Sequence, residues 1–210
     1  MDNFIQALKT KISKGLPGDR AHQYLVPEKR LSARNIVASK KEFRSSAIGI
    51  ILFPKNNRLY TLLIQRPTYE GSHSGQVSFP GGKMDRSDLN LEHTARRECF
   101  EEVNLTLNSG ELIGELSDIY IPVSNFMVKP FIFYLHHEPD FKPDEREVEH
   151  LIYLNIDTLM NDDIQKNGRV QISKGVHQKN VPYFEIEQKI VWGATAMILS
   201  ELKEILKTID

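Results

Sequence analysis

Glu98, Glu101 and Glu102 lie within five positions of one another in RRECFEEV, residues 96–103. On a helix, Glu98 and Glu102 project from one face one turn apart, and Glu101 borders that face. Left alone, such neighbours repel by about 0.2–0.5 kcal/mol per pair. A solvated helix face tolerates that cost; a divalent cation would turn the repulsion into attraction to a shared metal. Arg97, four residues before Glu101, is spaced to brace it by an ion pair. Just upstream, GSHSGQVSFPGGKMD, residues 71–85, concentrates glycines around a proline. Such a segment lets backbone approach a ligand closely, because glycine lacks a Cβ and accepts positive φ. It is not a phosphate-binding loop of the kinase and GTPase type: Met84 follows Gly82-Lys83 where Ser or Thr is needed, and Val77 stands five before Gly82 in place of glycine.

These residues need elements to hold them. "SAIGIILF" and "LYTLLIQR" read as two buried strands joined by the turn-like "PKNN". A helix is expected from about His93 to Val103, with Ala95, Cys99 and Val103 as its core stripe. Cys99 therefore reads as a packed thiol rather than a nucleophile. Further strands are expected at "ELIGEL", "MVKPFIFYL", "VEHLIYL", "GRVQI" and "PYFEI", and "KIVWGATAMILSELKEIL" reads as one long amphipathic helix with Trp192 near its start. Strands and helices mix without regular alternation, which predicts a mixed sheet covered by helices. Phe4, Ile5, Leu8 and Ile12 recur at helical spacing, and an irregular stretch follows them. Residues 1–44 are thus expected to form an N-terminal helical extension and residues 45–210 the main domain.

Composition narrows the classes. The chain has 210 residues, 27 basic and 28 acidic side chains, so no global field draws it to nucleic acid or anionic lipid. The longest apolar run is too short to span a bilayer, and the N-terminus lacks the hydrophobic region of a secretory signal. A single cysteine excludes an internal disulfide framework. A cytoplasmic location is expected.

Taken together, "GGKMDRSDLNLEHTARRECFEEVNL" resembles the Nudix box, a glycine followed at near-fixed spacing by Arg-Glu-x-x-Glu-Glu on a helix. "HSGQVSFPGG", residues 73–82, is similar to the motif of the coenzyme A diphosphatase-like branch, and fourteen residues between Gly82 and Arg97 match that branch's longer box. "PVSNFMVKPFIFYL" and "WGATAMIL" add distal matches. The resemblance implies a Nudix α/β/α sandwich that hydrolyses a nucleoside diphosphate derivative with Mg²⁺ or Mn²⁺. It implies Glu98, Glu101 and Glu102 as metal ligands, Glu101 and Glu147 as catalytic carboxylates, and Arg97 as an orienting residue. It also implies substrate contacts from Arg66, His73, Gln76, Gly81, Gly82 and Lys83.

The chain departs from the pattern in places. Asn104 ends the box where glycine is usual, though asparagine also tolerates the left-handed conformation. Asp88 stands near the box's opening glutamate and is shorter. Pro67 and Gly71 replace the branch's Ser and Arg, a departure on the substrate side that leaves the metal site untouched. The resemblance implies coenzyme A or an acyl derivative as substrate, with ADP-ribose, a dinucleotide or a nucleoside triphosphate as alternatives. A nucleotide sensor of the same fold would not require the intact glutamates. The expected partners are a small-molecule nucleotide and a second copy of the chain in a homodimer, with neither nucleic acid nor membrane. Glu145 and Glu149 compete with Glu147 for its role. The remaining histidines, His22 among them, show no ligand spacing and are expected to be structural or at the surface.

Overall fold

The structure is a computed structural model that describes residues 1–27, 32–68, 74–107, 111–173 and 175–209. Its first strand, β1 (Arg44–Lys55), sets the plan. Alternation along β1 sends Ile50 and Leu52 to one face and Ala47, Ile51 and Phe53 to the other, all fully buried. A strand apolar on both faces must be covered on both. A tight turn leads to β2 (Arg58–Gln65), with Asn56 and Asn57 at φ 49° and 59°. Asparagine tolerates the left-handed region that two-residue hairpins demand.

The hairpin ladder runs only from Leu52–Lys55 to Arg58–Thr61. Beyond it, β3 (Val77–Ser78) pairs with the far end of β2, and β4 (Gly81–Lys83) pairs with the near end of β1. The glycine-rich segment thus enters the sheet as two short strands, where the sequence suggested only a loop. β7 (Phe126–Tyr134) runs parallel to β1 from Arg44 to Leu52 and carries β5 (Glu111–Glu115) and β6 (Ile119–Ile121) on its other side. β8 (His150–Asn155) pairs with β2. The eight strands form the expected mixed sheet. β9 (Gln165–Ser173), β10 (Val176–Ile186) and β11 (Lys189–Trp192) make a second, antiparallel sheet.

On one face, α4 (Leu91–Val103) packs Ala95, Cys99 and Val103 against Ala47, Ile51, Leu62 and Ile64. The approach is close: a Cβ at Gly49 would come within 2.5 Å of the Cys99 sulfur. On the other face lie α1 (Asp2–Lys14), α5 (Ile156–Met160) and α6 (Gly193–Leu206). The result is a three-layer α/β/α sandwich with an N-terminal helix. Ile5, Leu8 and Leu25 belong to the same core as α6.

Two expectations change. The irregular stretch after α1 contains α2 (Asp19–His22) and α3 (Ala33–Ala38), the latter capped by the Ser32 side chain. The long final helix begins only at Gly193, because Lys189–Trp192 is drawn into the second sheet. It is also not amphipathic: Ser200, Glu201 and Lys203 are buried with its apolar residues. Glu201, wholly inaccessible, meets His22 Nε2 at 3.0 Å and accepts hydrogen bonds from the Gly18 N–H and from the Ser117 N–H and hydroxyl. His22 is accordingly structural and buried.

Candidate active site

Asn90 starts α4 by accepting a hydrogen bond from the His93 N–H, and Asn104 ends it in the left-handed conformation at φ 54°. Between these caps the helix lays Glu98 and Glu102 against the Gly81-Gly82 turn. Glu102 is fully buried. Its Oε2 accepts the Gly81 N–H at 2.8 Å, while its Oε1 has no hydrogen-bond partner and lies 3.7 Å from Arg66 Nη1. Burial is the main influence that pushes this carboxyl up to about 8, with Arg66 and the Gly81 N–H opposing it and Glu98 and Glu147 adding to it. Burial also raises the Glu98 carboxyl, against the pull of Arg97. A Cβ at Gly82 would overlap the Glu98 carboxylate, and one at Gly81 would overlap the Ala47 carbonyl. Only glycines let the backbone lie this close to the acids.

Arg97 ties the site together. Its guanidinium donates to Asp88, to Glu98 at 2.8 Å, to Glu101 at 2.7 Å and to the Lys83 carbonyl at 3.0 Å. The brace to Glu101 is the one the spacing predicted. Asp88 is the partner that spacing missed. Its buried carboxylate also accepts from the Thr94 hydroxyl and the Asp85 N–H, and the Arg97 guanidinium holds it far below the usual carboxylate range. Asp88 therefore anchors the arginine. A local clue existed, since an acid three residues from Asp85 and six before Thr94 suits a loop closed on a helix start.

Glu147 arrives from a distant loop. The Lys142 N–H binds the Val103 carbonyl at 3.0 Å and the Asp144 N–H binds the Glu102 carbonyl at 2.9 Å, which satisfies two carbonyls at the open end of α4. The Glu147 and Val148 N–H groups fold back on the Asp144 carbonyl, and Val148 is buried in the core. Glu147 is thereby held near enough for its charge to raise both Glu98 and Glu102. Beside it, an open groove of about 600 Å³ runs past Glu101. Gln76 sits at the start of β3, its carbonyl accepting the Arg66 N–H at 3.0 Å, and the Thr195 hydroxyl donates to the Val77 carbonyl at 3.0 Å. Thr195 was not singled out by the sequence, because a contact 118 residues away leaves no local signal. His73 lies outside the described residues.

Among the described residues, no three His, Cys, Asp or Glu side chains are already gathered for an ion. Glu101 is turned toward Arg97 instead. The donors nevertheless suit a hard divalent cation, which takes oxygen ligands and carboxylates by preference. The orphaned Glu102 oxygen is the clearest mark of fit, since a buried polar atom without a partner is costly.

The NUDIX domain model matches residues 43–174. An uncharacterized Nudix hydrolase, NudL, of Pectobacterium atrosepticum is 32% identical over 143 residues, covering 68% of this chain and 73% of that protein. The mitochondrial coenzyme A diphosphatase NUDT8 of Homo sapiens is 33% identical over 150 residues, covering 70% of this chain and 62% of that protein, so less than two thirds of the human protein is spanned. Among solved structures, a Nudix hydrolase from M. Smegmatis, RenU, superposes with a TM-score of 0.54 at 14% identity, covering 80% of this chain and 88% of that one. A MutT/nudix family protein from Enterococcus faecalis gives 0.54 at 13% identity over 90% of this chain and 74% of that one. At such identities the structures speak for the fold alone. With the box glutamates on their helix against the glycine turn, and with these matches, the chain belongs to the Nudix family and is a pyrophosphohydrolase.

Proposed function

We propose that this hydrolase cleaves the diphosphate linkage of coenzyme A or an acyl derivative, giving 4′-phosphopantetheine and adenosine 3′,5′-bisphosphate. The observation that carries the site assignment is the buried Glu102 carboxylate, bound at one oxygen by the Gly81 N–H and without a hydrogen bond at the other. Glu98, Glu101 and Glu102 would hold the divalent cation on which Nudix hydrolases generally depend, here Mg²⁺ or Mn²⁺. When bound, such an ion neutralises phosphoryl charge and lowers the pKa of a coordinated water. The chain's own groups do the rest. Gly81 and Gly82 admit the diphosphate to the backbone, and Lys83 stands beside them. Arg97, locked by Asp88, fixes the rotamers of Glu98 and Glu101. Glu147 or Glu101 takes the proton of the attacking water.

Arg66 stands 3.7 Å from Glu102, which supports a contact with the diphosphate itself more than with a remote 3′-phosphate. His73 and Gln76 complete the substrate side. The preference for coenzyme A rests on the HSGQVSFPGG motif and on the similarity to a protein named as a coenzyme A diphosphatase. The test compares kcat/KM for coenzyme A, 3′-dephospho-coenzyme A and ADP-ribose in wild type and Arg66→Ala. Coenzyme A should lead by roughly ten- to a hundredfold, the scale of one charged hydrogen bond to the 3′-phosphate. Arg66→Ala should lower all three together. Equal treatment of the three substrates, or preference for ADP-ribose, refutes the coenzyme A assignment.

A further inference from the structure

Three exposed apolar side chains gather at one end of the eight-stranded sheet: Val37 on α3, Phe43 just before β1 and Val123 in the β6–β7 turn, 57%, 37% and 82% exposed. α3 is held there by Ile36 and Ala33, which pack on Tyr120 and Met127. The chain then runs beside the turn. The Asn125 amide donates to the Glu42 carbonyl, the Arg44 N–H donates to the Asn125 carbonyl, and the Arg44 guanidinium donates to the Ser124 carbonyl above the Phe126 ring. Cations surround these residues. Arg34, Lys40, Lys41 and Arg44 are exposed, and none makes an ion pair among the described residues. Glu42 is the one acid between residues 33 and 44. Glu115 and Asp118, beside β6, are already held by Lys129. The balanced charge of the whole chain hides this local excess.

A surface both cationic and apolar selects its partner. Nucleic acid would neutralise the cations but offers nothing to two exposed valines, which cannot stack on a base. A second copy joined by a two-fold axis through this patch would set like charge against like. The interface of an anionic bilayer takes both features, headgroups meeting the cations and the acyl boundary meeting the apolar tips. From four unpaired cations set around Val37, Phe43 and Val123, we propose that this end of the sheet docks on membranes carrying anionic phospholipid. Surface attachment needs no spanning helix, and no described helix is long and apolar enough to span a bilayer. The patch adjoins the hydrolytic site: the Ser45 carbonyl accepts the Met84 N–H at 3.0 Å, and Ser46 is the register partner of Lys83. Docking therefore brings the Gly81-Gly82 turn toward the lipid surface, whichever diphosphate is cleaved there.

Co-sedimentation of the full chain with vesicles tests the proposal, using phosphatidylcholine alone and phosphatidylcholine mixed with phosphatidylserine. Wild type should bind the mixed vesicles and not the neutral ones, and should be released as salt shortens the range of the attraction. Arg34→Gln combined with Lys40→Asn removes two cations, and asparagine accepts the left-handed backbone that Lys40 adopts at φ 55°. This variant should bind about 25-fold more weakly, about fivefold for each cation withdrawn from an anionic surface. Val37→Ser combined with Val123→Ser should weaken binding by about tenfold, since each lost carbon in lipid is worth about fourfold. All four positions are exposed and lie outside the hydrolytic site, so both variants should melt with wild type. Equal binding to the two kinds of vesicle, no binding to either, or unchanged binding in both variants overturns the docking surface. Capture by an RNA oligonucleotide in place of vesicles overturns it as well.

Discussion

Glu102→Gln should make the metal-free protein more stable while destroying its activity. The side chain is fully buried, and burial lifts its carboxyl from an ordinary value of 4.5 to about 8. A carboxyl raised on folding contributes most to stability below its unfolded value, and that contribution is lost as pH climbs through the folded value. At pH 7 the folded state therefore carries a penalty of about 3 kcal/mol, taking 1.36 kcal/mol per unit between 4.5 and 7. Glutamine has the same shape, carries no charge, and keeps an oxygen to accept the Gly81 N–H. The ion pair to Arg66 is lost, but its pull is already included in the net upward shift of the carboxyl. Each kcal/mol moves the melting point of a chain this size by about 2–4 °C. In EDTA at pH 7, Glu102→Gln should melt roughly 5 °C or more above wild type, and the gap should close as pH falls toward 4.5. Mg²⁺ should raise the wild-type melting point and leave the variant unmoved. Differential scanning calorimetry from pH 4.5 to 8 decides it. A variant that melts at or below wild type in EDTA at pH 8 refutes the reasoning, because Glu102 would then not be held at an electrostatic cost.

Three further outcomes are expected. Glu98→Gln should lower kcat by on the order of 10²-fold or more with the fold intact, since a metal site supplies several kcal/mol to the transition state; full activity in the variant, or in EDTA, contradicts the assignment. Gly82→Val places a side chain on the Glu98 carboxylate and should cut kcat with a modest change in melting temperature, and a low-melting variant whose folded fraction is fully active would make the turn purely structural. His22→Ala removes one of the four hydrogen bonds to the inaccessible Glu201 carboxylate and should destabilise the protein by about 1.5–3 kcal/mol in urea unfolding, more than removal of an exposed histidine.

The parts legible in the sequence were those with local causes. The box helix declared itself through Ala95, Cys99 and Val103 at helical spacing, and the β1–β2 hairpin through two apolar runs around paired asparagines. The Arg97–Glu101 brace followed from a four-residue interval. What was hidden depended on partners far along the chain. Nothing near Glu201 says that His22 and Ser117 will hydrogen-bond to it, so the last helix read as amphipathic when its polar residues are in fact buried. The strand character of Val77–Ser78 and Gly81–Lys83 exists only because β1 and β2 part company beside them. Arg66 meets Glu102 for the same reason.

The pairing of His22 with Glu201 spans 179 residues and bears on how the protein is made. At a synthesis rate of about 5–20 residues per second, α1 and α2 wait roughly 10–40 s for the partner that covers them. Until α6 emerges, Ile5, Leu8 and Leu25 lack the surface they are buried against. A chain stalled before Gly193 would therefore present an unfinished core and attract chaperones or proteases. Completion of this core is in this way timed by the emergence of α6.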